Sequence, residues 1–327
     1  MEGPLSGAAG PLPAAVLLLA LVLDAYVGDA PRIRALPVHP AALLDRWIAL
    51  LDSRLDRSNR GSGVLRVRGW IALIVVAGPA AAIGVGIDYV AAHSLLGWTL
   101  EVAVLVMAVA CRGTHDRARH LQHALAGGSL EAARRAVVTL TDRDPAELDE
   151  YGVARAGVES LARTLDRGLV APVLFFALLG LPGVLALWAV RRLAAFRAVS
   201  VSEAYAGPAR RVARFLAWLP RRAAAFLIAA AALARPDAAA GAAIKASLRV
   251  GRGRGSERPI AAMAGALGLA LGGPRRYPGR IVDRPWLGEG RARADARDIA
   301  RALGLYRVAW ALVGGVAAAI LVVGWAA

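Results

Sequence analysis

Four acidic side chains lie inside or at the edge of apolar runs: Asp24, Asp29, Glu101 and Glu159. A carboxylate in that setting is costly, so each is a candidate for metal binding, proton transfer or an ion pair. Asp24 and Asp29 read equally well as functional acids or as interfacial caps, and Glu101 reads first as an interfacial residue or an arginine partner. Glu159 has Arg155 and Arg163 at i−4 and i+4, the spacing of an ion triplet on a helix surface. His39 stands before Pro40, where a hydrogen-bonded loop histidine competes with a catalytic one. His120 and His123 are one helical turn apart, as shared metal ligands would be, and His115 is near. No matching carboxylate–histidine partner follows, so a solvated helix face is the simpler reading. Cys111 is the single cysteine, which excludes an intrachain disulfide and leaves a small apolar filler at a helix end.

Two glycine-rich stretches carry cations. Gly251-Arg252-Gly253-Arg254-Gly255 has the makings of a phosphate cradle from backbone N–H groups and guanidiniums, or of a plain flexible loop. It is not a P-loop, because no Gly-Lys-Ser/Thr follows. Leu271-Gly272-Gly273-Pro274 runs into Arg275, Arg276 and Tyr277, a second turn able to approach an anion.

The elements that position these residues follow from hydropathy. Residues 11–30, 70–92, 95–111 and 305–326 are apolar runs of spanning length. Residues 169–190 are apolar but interrupted by Gly180-Leu181-Pro182-Gly183, and 223–234 are too short to span comfortably. Residues 40–57 place Leu43, Leu44, Trp47, Ile48, Leu51 and Leu55 on one helical face, as in a helix lying on a bilayer surface or against the protein. The polar segment 112–168 is helical in pattern, with a break at Asp142-Arg143-Asp144-Pro145.

Composition agrees. Of 327 residues 57% are hydrophobic, and the mean hydropathy of +0.51 is that of a membrane protein. The net charge is +16, carried almost wholly by arginine, with Lys245 the only lysine. The cations crowd segments 31–69, 112–168, 191–222 and 235–304 and are absent from 90–111 and beyond Arg307. That distribution is the positive-inside pattern and not a nucleic-acid footprint. It places all four basic segments in the cytosol if 169–190 is a re-entrant hairpin. The expectation is one all-α polytopic membrane domain in the cell membrane, with four full spans and re-entrant or partial segments at 169–190 and 223–234.

Particular stretches resemble a known family. LDAYVGDAPRIRALPVHPAALLDRWI, DRDPAELDEYGVARAGVESLARTLDRGLVAPVLFFALLG, WLPRRAAAFLI and AGALGLALGGPRRYPGRIVDRPWLGEGRARADARDIARAL occur in that order. The last is the most specific. Together, from about residue 20 to 310, they resemble the cobalamin-biosynthesis CobD/CbiB family, adenosylcobinamide-phosphate synthase. The resemblance implies a membrane ligase that joins aminopropanol, or its phosphate, to a propionate carboxyl of adenosylcobyric acid. ATP and Mg²⁺ are implied, and other cobalamin-pathway enzymes as partners. It further implies Asp29, Asp144 and Glu159 as catalytic or metal-holding acids. His39, Gly272, Gly273, Arg275, Arg276, Tyr277 and Asp283 would contact substrate.

The chain departs from the family pattern at four places. Arg163-Thr164-Leu165-Asp166-Arg167-Gly168 stands for a Glu-Asn-x-x-Asp-Gly motif, and Trp188 to Ala194 stands for Lys-Ala-Val-Asn-x-x-Asp. Ala213, Arg214 and Ala217 replace an Asp-Asp pair and an Asn, and Arg254-Gly255 with Pro259-Ile260 replace a Ser-Pro-Asn and Ser-Glu pattern. These departures open a second reading, a catalytically impaired relative acting as membrane scaffold or corrinoid-binding subunit. A transporter is a third reading, supported by the broken apolar run but lacking an inverted repeat.

Overall fold

The computed structural model describes residues 11–27, 40–56, 61–196, 202–251, 254–277 and 280–326. It is almost wholly helical. Helices α1 (Pro11–Val27) and α2 (Pro40–Leu55) precede a long α3 (Ser62–His93) and a shorter α4 (Leu95–Ala108). Ser94 joins the last two and caps α4, its hydroxyl accepting from Gly97 N at 3.1 Å. Then come α5 (Arg112–Ala126), α6 (Leu130–Val137) and α7 (Glu150–Thr164), which continues through a π turn, Leu165–Val170, into α8 (Ala171–Ala195). Helices α9 (Glu203–Leu216), α10 (Trp218–Leu233), α11 (Ala240–Leu248) and α12 (Arg258–Leu267) lead to four short strands. The chain ends in α13 (Ala296–Ala326).

Four helical stretches are long and apolar enough to cross a membrane: Ser62–His93, Leu95–Ala126, Glu150–Ala195 and Ala296–Ala326. The bent pair α9–α10 makes a fifth if counted as one. Val64, Ile74, Ile83 and Val85 on α3, and Val316, Ile320, Val322 and Val323 on α13, are exposed. Branched apolar side chains in such rows have the hydrocarbon of a bilayer as their natural solvent. The chain is therefore a polytopic helical membrane protein. Helix α1 has 17 residues, the lower limit of spanning length.

One of the four stretches is not a straight rod. Gly180 has φ 66°, ψ −159°, a conformation open in practice only to glycine. Arg191 Nη1 donates to Arg167 O at 3.3 Å. A straight helix would hold those two residues about 36 Å apart. The chain therefore reverses at Gly180 and α8 is a hairpin of two helical arms. Its second arm packs on α3, where Leu73 and Val76 meet Ala189, Val190 and Leu193, and Gly84 abuts Pro182.

The other half of the molecule closes around α12, whose Ile260 to Leu267 are all buried. β1 (Leu271–Gly272) pairs antiparallel with β4 (Trp286–Leu287), in register Leu271 with Leu287 and Gly272 with Trp286. β2 (Arg275–Tyr277) pairs with β3 (Arg280–Val282) as a hairpin. An ionic ladder fixes these parts to the start of α13. Arg291 donates to Asp298 at 2.8 and 2.7 Å, and Arg301 contacts both Asp298 and Asp237.

Candidate functional site

Two carboxylates organise the site, and both are on the segment running from α7 into the π turn. Asp149 starts α7 by accepting from Gly152 N at 2.6 Å. The helix then buries one residue after another, Glu159 completely. Glu159 Oε1 accepts from Gly272 N at 3.0 Å and from Arg143 Nη2 at 2.8 Å. Its Oε2 accepts from the same Arg143 nitrogen at 2.7 Å and from Arg163 Nη2 at 2.5 Å. Residues 113 positions apart, Glu159 and Gly272, are thereby joined.

The expected surface triplet with Arg155 is corrected here. Glu159 is interior, and its second guanidinium comes from Arg143. Arg155 instead donates to Ala292 O at 2.6 Å and lies 5.4 Å from the centre of the Trp286 ring. That ring covers Gly273, where an added Cβ would sit 2.8 Å from the indole. Gly272 and Gly273 have φ of 82° and 67°, so the turn depends on both.

The other expected residues fall in several places. Asp144 adjoins Arg143 and caps the following turn through Ala146 N at 3.0 Å. Arg275, Arg276 and Tyr277 form β2, and Asp283 is exposed just beyond β3. Asp29 and His39 lie outside the described residues. Asp24 is buried and accepts from Arg112 N at 3.2 Å. His120 and His123 are exposed, and among the described residues no three His, Cys, Asp or Glu side chains gather as metal ligands do.

Sequence reasoning did not anticipate the second centre. Asp166 lies in the π turn, a backbone irregularity frequent at functional sites. It is buried, and the charges nearest to it belong to Arg191, Arg221 and Arg167. Arg221 Nε is 3.9 Å from Asp166 Oδ2, beyond direct hydrogen-bond reach. Asp166 Oδ1, Arg191 Nη2 and Arg221 Nε are all buried without a hydrogen-bond partner. Beside them opens a pocket lined by Ala194, Glu203, Arg210, Ala213, Arg214 and Arg221. Glu203 is taken by Arg210 at 2.5 Å. Gly255, the end of the glycine–arginine loop, reaches the same place, its Cβ direction 4.0 Å from Arg221 Nη1. Nearby, burial and then the Arg222 charge lower the Arg258 pKa below the usual guanidinium range.

The family model for the CobD/Cbib protein matches residues 17–306. The chain belongs to the CobD/Cbib family. A cobalamin biosynthesis protein CobD of Sinorhizobium sp is 36% identical over 325 residues, covering 94% of this chain and 98% of the relative. Its namesake in Sinorhizobium fredii is 37% identical over 324 residues (94% and 96%), and that of Brucella suis 33% over 327 (94% and 97%). No solved structure matches the chain. Arg167, Arg191 and Arg214 come from three separate stretches of the chain: Arg167 and Arg191 lie near Asp166, and Arg214 lines the adjoining pocket. Guanidiniums suit the phosphates of ATP or of a phosphorylated amine. A carboxylate-held Mg²⁺ does not fit there, because the one buried acid faces only cations.

Proposed function

We propose that the chain acts in cobalamin biosynthesis as an amide-forming ligase. It would join aminopropanol, or aminopropanol phosphate, to adenosylcobyric acid and give adenosylcobinamide or its phosphate. The observation that carries this reading is the match over residues 17–306, with relatives named for cobalamin biosynthesis. The Glu159–Gly272 bond supports it, because it joins two of the stretches that carry the family resemblance. ATP would supply the activation that turns a carboxylate into an acyl donor. The protein's own part is to hold anionic groups and exclude water beside the π turn. Glu159 acts as a positioning residue there, since its oxygens are already engaged. Asp144 and Asp29 are the acids offered for proton transfer or metal contact, and Arg275 and Arg276 for phosphate. The basic face is proposed to be cytosolic, with the α8 hairpin entering and leaving from that side.

A second reading has its own observation. Arginines stand where the family pattern has Asn or Asp, as a corrinoid-binding subunit or membrane scaffold without catalysis would allow. One assay separates the two. Membranes containing the protein are given adenosylcobyric acid, aminopropanol phosphate, ATP and Mg²⁺, and adenosylcobinamide phosphate is followed by mass spectrometry. Product above an empty-membrane control supports the ligase. Its absence, from protein shown to be folded and inserted, supports the binding role.

A further inference from the structure

We propose that the pocket lined by Arg210, Arg214 and Arg221, beside Arg167 and Arg191, binds a phosphate group directly on guanidiniums, with no divalent cation. Five guanidiniums face two carboxylates, Asp166 and Glu203, which leaves three positive charges uncompensated among the described residues. Glu203 is engaged by Arg210, and Asp166 is beyond hydrogen-bond distance of Arg221. Buried N–H groups rarely go without an acceptor. Here Arg191 Nη2, on α8, and Arg221 Nε, on α10 at the pocket wall, do. An anion seated in the pocket supplies the missing counter-charge. Guanidiniums bind phosphate oxygens through paired N–H donors, a geometry that needs no bridging metal.

Two sources of that phosphate suit the setting. Phe215, next to the pocket's Arg214 in sequence, and Trp218 and Phe226 on the same helix as Arg221 are exposed, and Arg222 stacks 4.0 Å from the centre of the Trp218 ring. Aromatic and cationic groups together mark the headgroup level of a bilayer, where an anionic lipid would offer its phosphate. Gly255 lies near the pocket-lining Arg221, its Cβ direction 4.0 Å from Nη1, and a soluble phosphate ester is the second source. The proposal does not depend on the ligase reading, because no corrinoid or turnover is involved.

The test uses the full chain in two arms. In detergent, inorganic pyrophosphate is titrated in the presence of EDTA and binding is read by thermal shift. In nanodiscs of phosphatidylcholine with phosphatidylglycerol, retained lipid is identified by native mass spectrometry. Arg214 is exposed and Arg210 half-buried, so Arg210→Gln and Arg214→Gln should leave folding intact. Each should weaken binding roughly tenfold, the usual loss for one charge-assisted hydrogen bond. Arg249→Gln, at an exposed surface pair with Glu289, controls for net charge and should bind as wild type. Binding of pyrophosphate alone supports the proposal with a soluble source, and selective retention of phosphatidylglycerol supports it with a lipid source. Binding that requires Mg²⁺, equal binding by the pocket variants, or binding in neither arm overturns it.

Discussion

Glu159 and Asp166 are seven residues apart on one continuous helical segment, both buried and both surrounded by arginine, yet their surroundings are opposite. Glu159 is saturated. Arg143, Arg163 and Gly272 N occupy both its oxygens at 2.5–3.0 Å. Asp166 keeps an oxygen without a partner, and its arginines keep N–H groups without one. A saturated buried carboxylate has little left to offer a substrate, and its value is to hold three chain segments in register. An under-satisfied cluster beside an open pocket is a place where a ligand completes the hydrogen bonding. The contrast separates the part of the site that is frame from the part that binds.

The largest expected effect is at the saturated end. Glu159→Gln removes the carboxylate charge from the buried Arg143 and the half-buried Arg163 and weakens the acceptor for Gly272 N. Breaking a buried pair from one side costs about 3–5 kcal/mol. The variant should lose most of its thermal stability in detergent. Arg143→Ala combined with Glu159→Ala should cost less than the two single losses added together. Additive losses would mean that the Glu159 network is not coupled, and the comparison would fail.

Next is the hinge. Gly180→Ala forces a side chain onto φ 66° and toward Asp88 Oδ2, 2.7 Å from the added Cβ. Strain of this kind costs about 1–3 kcal/mol. Because the reversal brings Arg191 back to Arg167, the substitution should also weaken phosphate binding at the far end of the hairpin. Unchanged binding in a destabilised variant would show that the pocket forms without the hinge.

Asp166→Asn should cost less stability than Glu159→Gln, because Asp166 Oδ1 has no hydrogen-bond partner and Oδ2 is 3.9 Å from Arg221, whereas both oxygens of Glu159 are engaged. Removing the pocket's competing negative charge should tighten phosphate binding roughly threefold or more. Weaker binding would instead make Asp166 an organiser of the arginines, as Glu159 is of its own.

The sequence made some of this contrast legible. The apolar runs, the break at Gly180-Leu181-Pro182-Gly183 and the i+4 pair of Glu159 with Arg163 are local patterns, and local periodicity exposes them. Arg143 was invisible as the partner of Glu159, because it arrives through an irregular loop at residues 138–149. The arginine pocket was invisible for a related reason. Arg167, Arg191, Arg214 and Arg221 read singly as basic loop residues on one side of a membrane. The chain reversal at Gly180, whose angle no propensity specifies, returns Arg191 to Arg167, and Arg214 and Arg221 arrive on two other helices. Asp29 and His39 lie outside the described residues, so their part rests on the family resemblance.

The smallest effects carry the same contrast outside the spans, where solvent can titrate it. Asp237 is held by Arg235 at 2.8 and 2.7 Å, and that hydrogen bonding keeps its carboxyl below the ordinary value of 3.8. Asp52, on α2, is buried with Oδ1 unpartnered, and burial raises its carboxyl above the same value. The signs are opposite. A lowered folded pKa adds stability that is present above the unfolded value and lost as pH falls through the folded one. A raised folded pKa means the folded state holds its proton longer, so stability falls as pH rises from about 3.8 through the raised value and the penalty persists above it. Asp237→Asn should therefore destabilise slightly at neutral pH, with the difference vanishing in acid. Asp52→Asn should stabilise slightly at neutral pH, its difference also vanishing in acid. Melting temperatures of the two variants from pH 3 to 8 would check this, and curves that diverge from wild type in the same direction would remove the distinction between satisfied and unsatisfied carboxylates in this fold.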